Sequence, residues 1–468
     1  MESDTQKLNL KRELGIIGAV SFIAGTMMGS GIFISPQYVL SVIGSPGASL
    51  VIWVCCGLIS MMGGLCYAEL GTVIPESGAE YIYILRTAGK VMAFVFVFSF
   101  VIVMRPASAT GIALSFAEYV VAPFYSGCTP PQLVLKLVAA TAIVVLSVVN
   151  CMSVRLATTI QVLSMVVKLL AMAVIILGGV VKLFQGHTEN FNNSFEGTNV
   201  DVSSIGIAFY QGLWSYDGWN TLNFLTEEVK HPEVNLPRAV VIAISLVTGL
   251  YLLVNVSYLT VMTPKELMSS SAVAVTWGNK VLGSWGWIMS VAAALSAFGS
   301  LNGTFFSGGR VCFVAAREGH MPDILSMAHV HRLTPSPALI FTTVVSLLVL
   351  IPGDFQSIVN FFSFTAWFFY AITLSGLIYL KIKKPELPRP YRVPIILPIL
   401  VLIVAIFLVL APIIDNPQIE YLYVTLFILS GAIVYIPFIH YKLCPGLLTR
   451  LTVFLQLFLE VAPAEKNL

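Results

Sequence analysis

Gly25-Thr26-Met27-Met28-Gly29-Ser30-Gly31-Ile32-Phe33 sets three glycines within seven residues, in the middle of an apolar run at about residues 14–40. Each glycine inside a helix costs about 1 kcal/mol against alanine, so a helix through this stretch is weakest there. A second interruption, Gln211-Gly212-Leu213-Trp214-Ser215-Tyr216-Asp217-Gly218-Trp219-Asn220, lies in the middle of the sixth apolar run. Interrupted helices at corresponding places in two halves of a chain are the sequence sign of an inverted-repeat transporter, whose unwound segments line a site at the bilayer midplane. Packing is the plain alternative for the first segment. Gly25 and Gly29 have GxxxG spacing, and small residues let membrane helices approach closely. The matching break in the sixth run favours a substrate site.

Outward from these two segments, the chain reads as a membrane protein throughout. Of its 468 residues 57% are hydrophobic and 10% charged, with a mean hydropathy of +0.90. A soluble protein carries roughly a quarter charged residues. Twelve apolar runs are legible, at about 14–40, 47–74, 91–121, 133–152, 156–183, 202–228, 239–262, 286–314, 338–352, 355–380, 393–414 and 421–442. A spanning helix needs roughly 20 such residues. The first run is too long and too broken by glycine for a cleavable leader, and reads as a retained span. Residues 448–461 have helical apolar spacing and little charge, which predicts a short helix on the inner membrane surface or on the protein. The formal charge of +2 gives no basic footprint for nucleic acid.

Lys and Arg orient the spans, because cytoplasmic loops carry the excess. With a cytosolic N-terminus, only Lys136, Lys182, Lys265 and Lys280 fall outside, while Arg105 and Lys168 lie within spans. Arg310 and Arg317 count among the charges at the inner edge. Both termini are therefore expected in the cytosol.

A free amino acid suits two facing helix breaks. Its carboxylate is expected on the N–H groups of Ser30, Gly31 and Ile32, where a half-helix starts and its dipole is positive. Its ammonium is expected on carbonyls freed at Thr26, Met27, Trp214 and Ser215. Asp217 places a carboxylate at membrane depth, which demands a partner or water. That partner is either a cationic substrate side chain or an internal cation, with Arg105 the obvious candidate. For Arg105 the alternatives are the pocket itself or a structural pairing with Asp217 or Glu118. Lys168, mid-span, needs carbonyls or a carboxylate for its ammonium. Cys128, in Ser126-Gly127-Cys128-Thr129-Pro130-Pro131, is the one cysteine of seven that falls in an outer loop. An odd exposed cysteine is either a free thiol or half of an intermolecular bond.

The histidines and cysteines show no metal-ligand spacing, and neither a phosphate-binding loop with its lysine nor a nucleophile elbow is present. No enzyme and no cofactor is expected. Rings of like charge or a repeated filter sequence, which would mark a channel, are likewise missing from the sequence.

GTMMGSGIFISP (25–36), CYAELGTVIPESGAEYIYI (66–84), GLWSYDGWNTLNFLTEEVKHPEVNLP (212–237), NVSYLTVMT (255–263) and REGHMP (317–322) together resemble the light subunits of the heteromeric amino acid transporters. These form the L-type branch of the amino acid, polyamine and organocation superfamily. The resemblance runs over about 14–461. It implies a LeuT-like 5+5 inverted repeat, residues 14–184 and 202–380, followed by two further transmembrane helices in 392–442 and the surface helix 448–461. It also implies sodium-independent exchange and a plasma-membrane location, apical in epithelia. A single-span glycoprotein heavy chain of the rBAT type would be bonded to the light subunit through Cys128. Among the subtypes, the chain looks most like the exchanger of cationic amino acids and cystine for neutral ones, or an aromatic-preferring relative. In the same terms Trp214 resembles the aromatic gate over the substrate, and Lys168 the lysine standing where sodium would bind in other branches. The cystine/glutamate exchangers of the family carry an Arg comparable to Arg105 and a second basic residue in span ten. Here that stretch reads Phe364-Thr365-Ala366-Trp367, which points away from acidic substrates.

Overall fold

A computed structural model describes residues 14–463, apart from 30, 126–129, 187, 193, 271, 321–326, 330–333, 352–354, 415–418 and 436–444. The chain is helical almost throughout. The first run breaks into α1 (Ile16–Met27) and α2 (Gly31–Ile43), followed by α3 (Pro46–Val73) and the short α4 (Glu80–Thr87). α5 (Lys90–Ser99) passes through a π-helical turn at Phe100–Met104 into α6 (Arg105–Val121), and α7 (Gln132–Met152) and α8 (Val154–Phe184) close the first half. α9 (Val202–Ser215) stops at mid-depth, and a 3-10 segment (Thr221–Glu228) leads to α10 (Pro232–Val261). Two short helices, α11 (Pro264–Ser269) and α12 (Val273–Val281), precede α13 (Trp287–Arg317), α14 (Ser336–Leu350), α15 (Phe355–Lys383), α16 (Ile396–Ile414), α17 (Ile419–Tyr435) and α18 (Pro445–Leu459). Strand β1 (Met327–His329) pairs antiparallel with β2 (Val461–Pro463), tying the end of the described chain to the segment between α13 and α14.

Among the described residues, nine helical runs are long and apolar enough to cross a bilayer by length and composition. The apolar α14 and α17 are shorter. α9 with its 3-10 continuation is broken, as the glycine and polar residues of 211–220 lead one to expect.

α8 shows how the bundle is sided. Leu163, Leu170 and Leu177 recur every seven residues and are 62%, 63% and 64% exposed. Gln161, Ser164 and Lys168 on the opposite face are buried. The apolar stripe thus faces outward and the polar one inward, the reverse of a soluble helix, because the surrounding solvent is hydrocarbon.

The two broken runs lie antiparallel at the centre. Leu14, at the start of α1, donates to the carbonyl of Glu228 (3.1 Å) and accepts from Lys230 N–H (2.7 Å), beside the end of the 3-10 segment. At the opposite end, Asn199, ahead of α9, donates to the carbonyl of Ile43 at the end of α2 (2.8 Å). Chain direction therefore reverses between them, and the two breaks meet in the middle.

Candidate functional site

α1 stops because Met28 leaves the helical region, with ψ at 47°. Every carbonyl freed there finds a side chain. Gly25 O accepts from the Lys168 ammonium, Thr26 O from Ser300 Oγ (3.0 Å), Met27 O from Tyr251 OH (2.5 Å) and Met28 O from Ser296 Oγ (3.3 Å). Tyr251 OH also reaches Ser215 O, 2.7 Å away at the end of α9. One hydroxyl proton is thus shared by the carbonyls of both breaks. The Trp214 carbonyl takes the Asp217 N–H at 3.1 Å.

The breaks touch at Gly31. A Cβ added there would lie 2.6 Å from Ser215 Cα, so only glycine lets α2 start against α9. Gly218 serves the second break with φ of +108°, a region other residues rarely adopt. Between the breaks lies a hollow lined by Thr26, Met27, Gly29, Gly31, Ile112, Trp214, Asp217, Ser300 and Thr304. It leaves about 10 Å³ for the centre of a water-sized sphere, room for about one water molecule. An amino acid enters only if the surrounding helices part. Thr26 Oγ1 and Ser215 Oγ are buried with no hydrogen-bond partner among the described residues, and stand ready for a polar ligand.

On one side the hollow is closed by aromatic rings. Trp214 meets Phe355 and Phe362 edge-on, with centroids 6.0 and 5.5 Å apart, and Phe355 lies 6.0 Å from Tyr38 of α2. On the other side lies a charged layer. The Arg105 guanidinium sits 4.8 Å from the Phe100 ring and 5.0 Å from that of Phe224, within electrostatic reach of Asp217 and Glu80. Glu80 itself accepts from Asn220 Nδ2 (2.5 Å) and Tyr67 OH (3.2 Å). Further along, Glu228 receives Arg310 Nε at 3.0 and 3.2 Å, both side chains fully buried. Glu227 receives both terminal nitrogens of Arg317, at 2.5 and 3.1 Å.

Thr26, Met27, Gly31, Trp214 and Asp217, singled out from sequence, therefore line one hollow, and Ser215 adjoins it against Gly31. Ile32 is buried just beyond, and Arg105 stands one layer away rather than on the wall. Its nearby carboxylates are Asp217 and Glu80. Glu118, thirteen residues along the same helix, is roughly 20 Å away at 1.5 Å per residue, so the pairing considered for it does not exist. Lys168 lies behind α1, against the carbonyl of Gly25. Ser30 and Cys128 lie outside the described residues. Sequence reasoning missed Tyr251, Ser296, Ser300, Thr304 and Ile112. The hydroxyl-bearing ones sit in apolar runs where each reads as an ordinary core residue.

A family model, amino acid permease, matches residues 14–438. The chain belongs to the amino acid permease family. This permease is 50% identical over 461 residues to the human b(0,+)-type amino acid transporter 1, covering 98% of this chain and 95% of that protein. It is 41% identical over 467 residues to the human cystine/glutamate transporter, covering 99% and 93%. To the human large neutral amino acids transporter small subunit 2 it is 44% identical over 413 residues, covering 87% and 77%. The permease is thus a multi-pass membrane transporter and not an enzyme.

Proposed function

We propose that this permease exchanges amino acids across the plasma membrane without sodium, moving cationic amino acids and cystine against neutral ones by alternating access. The observation that carries the reading is Asp217, a half-buried carboxylate on the wall of the hollow between two broken helices. The α-carboxylate of the substrate takes the N–H groups that open α2, at Ser30, Gly31 and Ile32. The α-ammonium takes the second lone pairs of the carbonyls of Thr26, Met27, Trp214 and Ser215. Asp217 then faces a cationic side chain, and Arg105, one layer behind it, reaches the distal carboxylate of a double-headed amino acid such as cystine only once the helices part. Similarity to a b(0,+)-type transporter supports this choice over neutral or aromatic exchange on the same scaffold. Trp214 is the gate, and the Lys168 ammonium stands in for sodium behind α1.

The architecture fits twelve transmembrane spans: the nine long runs with α9 and its continuation, α14 and α17. Residues 14–184 and 202–380 form two inverted repeats, supported by the antiparallel breaks. Residues 392–442 add two spans and 448–461 a surface helix. The distribution of Lys and Arg puts both termini in the cytosol, so the aromatic side of the hollow faces out and the ion pairs face in. Cys128 joins a single-span heavy chain of the rBAT type, with the complex apical in epithelia. Reconstitution in liposomes, followed by competition of labelled Leu uptake with Arg, cystine, Tyr and Glu, tests the reading. Arg and cystine compete strongly and Glu weakly if it holds, whereas competition by Tyr without Arg favours the neutral or aromatic exchanger.

A further inference from the structure

We propose that Glu118, near the outer end of α6, is a capture site for the cationic side chain of an incoming amino acid, one step above the gate. The inference rests on the exchanger reading and its orientation, and adds a specificity residue to it. Gly111 fixes which face of α6 meets the gate. A Cβ there would lie 3.2 and 3.3 Å from the Trp214 indole and 3.6 Å from Ile358 of α15. At 100° and 1.5 Å per residue, Glu118 lies within about 20° of that direction and about 10 Å further out. The other faces of the helix are occupied. Tyr119 OH donates to Phe33 O of α2 (2.5 Å), Phe116 packs on Phe298 of α13 (5.8 Å) and Thr110 Oγ1 donates to Ser346 O of α14 (3.3 Å).

Glu118 is half-buried and has no ion-pair partner among the described residues. The lysine of the neighbouring α7, Lys136, gives its ammonium to the Ile351 carbonyl. A carboxylate left unpaired within a span requires water around it, which makes this face of α6 the wall of a wet entrance. Between Glu118 and the gate, on the same strip, Ser115 carries a buried hydroxyl with no partner among the described residues, and Ser108, two turns deeper and past Gly111, carries another. The strip Ser108, Gly111, Ser115, Glu118 is polar or small at spacings of three and four, and runs from the entrance past the indole. A guanidinium or ammonium arriving from outside meets the fixed negative charge of Glu118 first, and Asp217 only after Trp214 moves. An acidic side chain is repelled at the same point.

The test uses the full chain in whole cells, with labelled Arg and labelled Leu supplied outside or preloaded inside. Glu118→Gln raises the external KM of Arg relative to that of Leu by about threefold to tenfold, the range of a charge that steers encounter. Glu118→Asp restores most of the ratio, and the ratio measured from inside stays where it was. In the unmodified chain, raising ionic strength at constant osmolarity raises the Arg KM and not the Leu KM, a readout that needs no variant to fold. A ratio unchanged in Glu118→Gln, equal shifts from both sides of the membrane, or a salt response of Arg as flat as that of Leu overturns the capture site while leaving the exchanger reading standing. A chain that takes up Leu but no Arg overturns both.

Discussion

In the orientation proposed above, the outer closure of the hollow is Trp214 against Phe355 and Phe362, with Tyr38 beyond. The inner closure is Glu228 on Arg310 and Glu227 on Arg317, laid between the 3-10 segment and α13. Edge-on ring pairs contribute about 0.5–1.5 kcal/mol each beyond their area, and parting them leaves no charge without a partner. A buried ion pair is different in kind. Its desolvation offsets much of its attraction, yet removing one partner costs about 3–5 kcal/mol because a charge is left alone. The outer closure can slide by small steps, whereas the inner one is either made or broken. A switch of that kind suits an exchanger, which must not drift open on the inside without substrate.

The largest effect that distinguishes the two ends is expected at the inner pair. Glu228→Gln leaves the Arg310 guanidinium without its counter-charge and lowers stability by about 3–5 kcal/mol, read as a drop in the melting temperature of the solubilised full chain. The double variant Glu228→Leu with Arg310→Met recovers most of that loss. If the single variant costs under about 1 kcal/mol, the pair behaves like an exposed one and the contrast between the ends disappears.

At the outer end, Trp214→Ala opens the aromatic closure without stranding a charge. Turnover falls by about tenfold, equivalent to 1.4 kcal/mol, while the amount of protein at the cell surface falls much less. An equal fall in both would make Trp214 a packing residue. Between the two ends, Asp217→Ala weakens binding of Arg and Lys by several-fold and spares Leu. Equal losses for Arg and Leu would assign Asp217 to holding Arg105 in place rather than to reading the substrate.

A pH dependence is expected at the inner end as well. His320, just beyond α13, is buried among the rings of Tyr81, Phe94 and Tyr435 and shares a 2.8 Å hydrogen bond with Tyr81 OH. Burial pushes its pKa down from 6.5 to about 4. The unfolded chain therefore binds the proton first, and stability falls as pH drops from about 6.5 towards 4. His320→Gln flattens the melting temperature over that window. A slope unchanged by the substitution removes His320 from the inner closure's pH response.

A residue is legible in the sequence only where its type conflicts with the stretch of chain around it. The two breaks were legible because Gly25, Gly29, Gly31, Gly212 and Gly218 stand where an uninterrupted span would avoid them. Trp214, Asp217 and Lys168 were legible because a polar or aromatic group in a helix break, or a charge at mid-span, has few structural excuses. Tyr251 was not, since a tyrosine in an apolar run is ordinary until its hydroxyl is found between Met27 O and Ser215 O. In the sequence Arg310 is an inner-edge charge like any other, yet it is fully buried on Glu228. Residues eighty-two positions apart gave no sign of pairing. Arg105 was visible as a charge within a span, but its distance from the wall depends on the turn of α6, which sequence does not set.

On the exchange reading, the hollow between the breaks carries an amino acid each way and the empty carrier crosses slowly. Efflux of labelled Arg from preloaded, sodium-free proteoliposomes measures it directly. Slow efflux into plain buffer is expected, with a several-fold rise when unlabelled Leu or Arg is added outside. Efflux equally fast with no amino acid outside contradicts it.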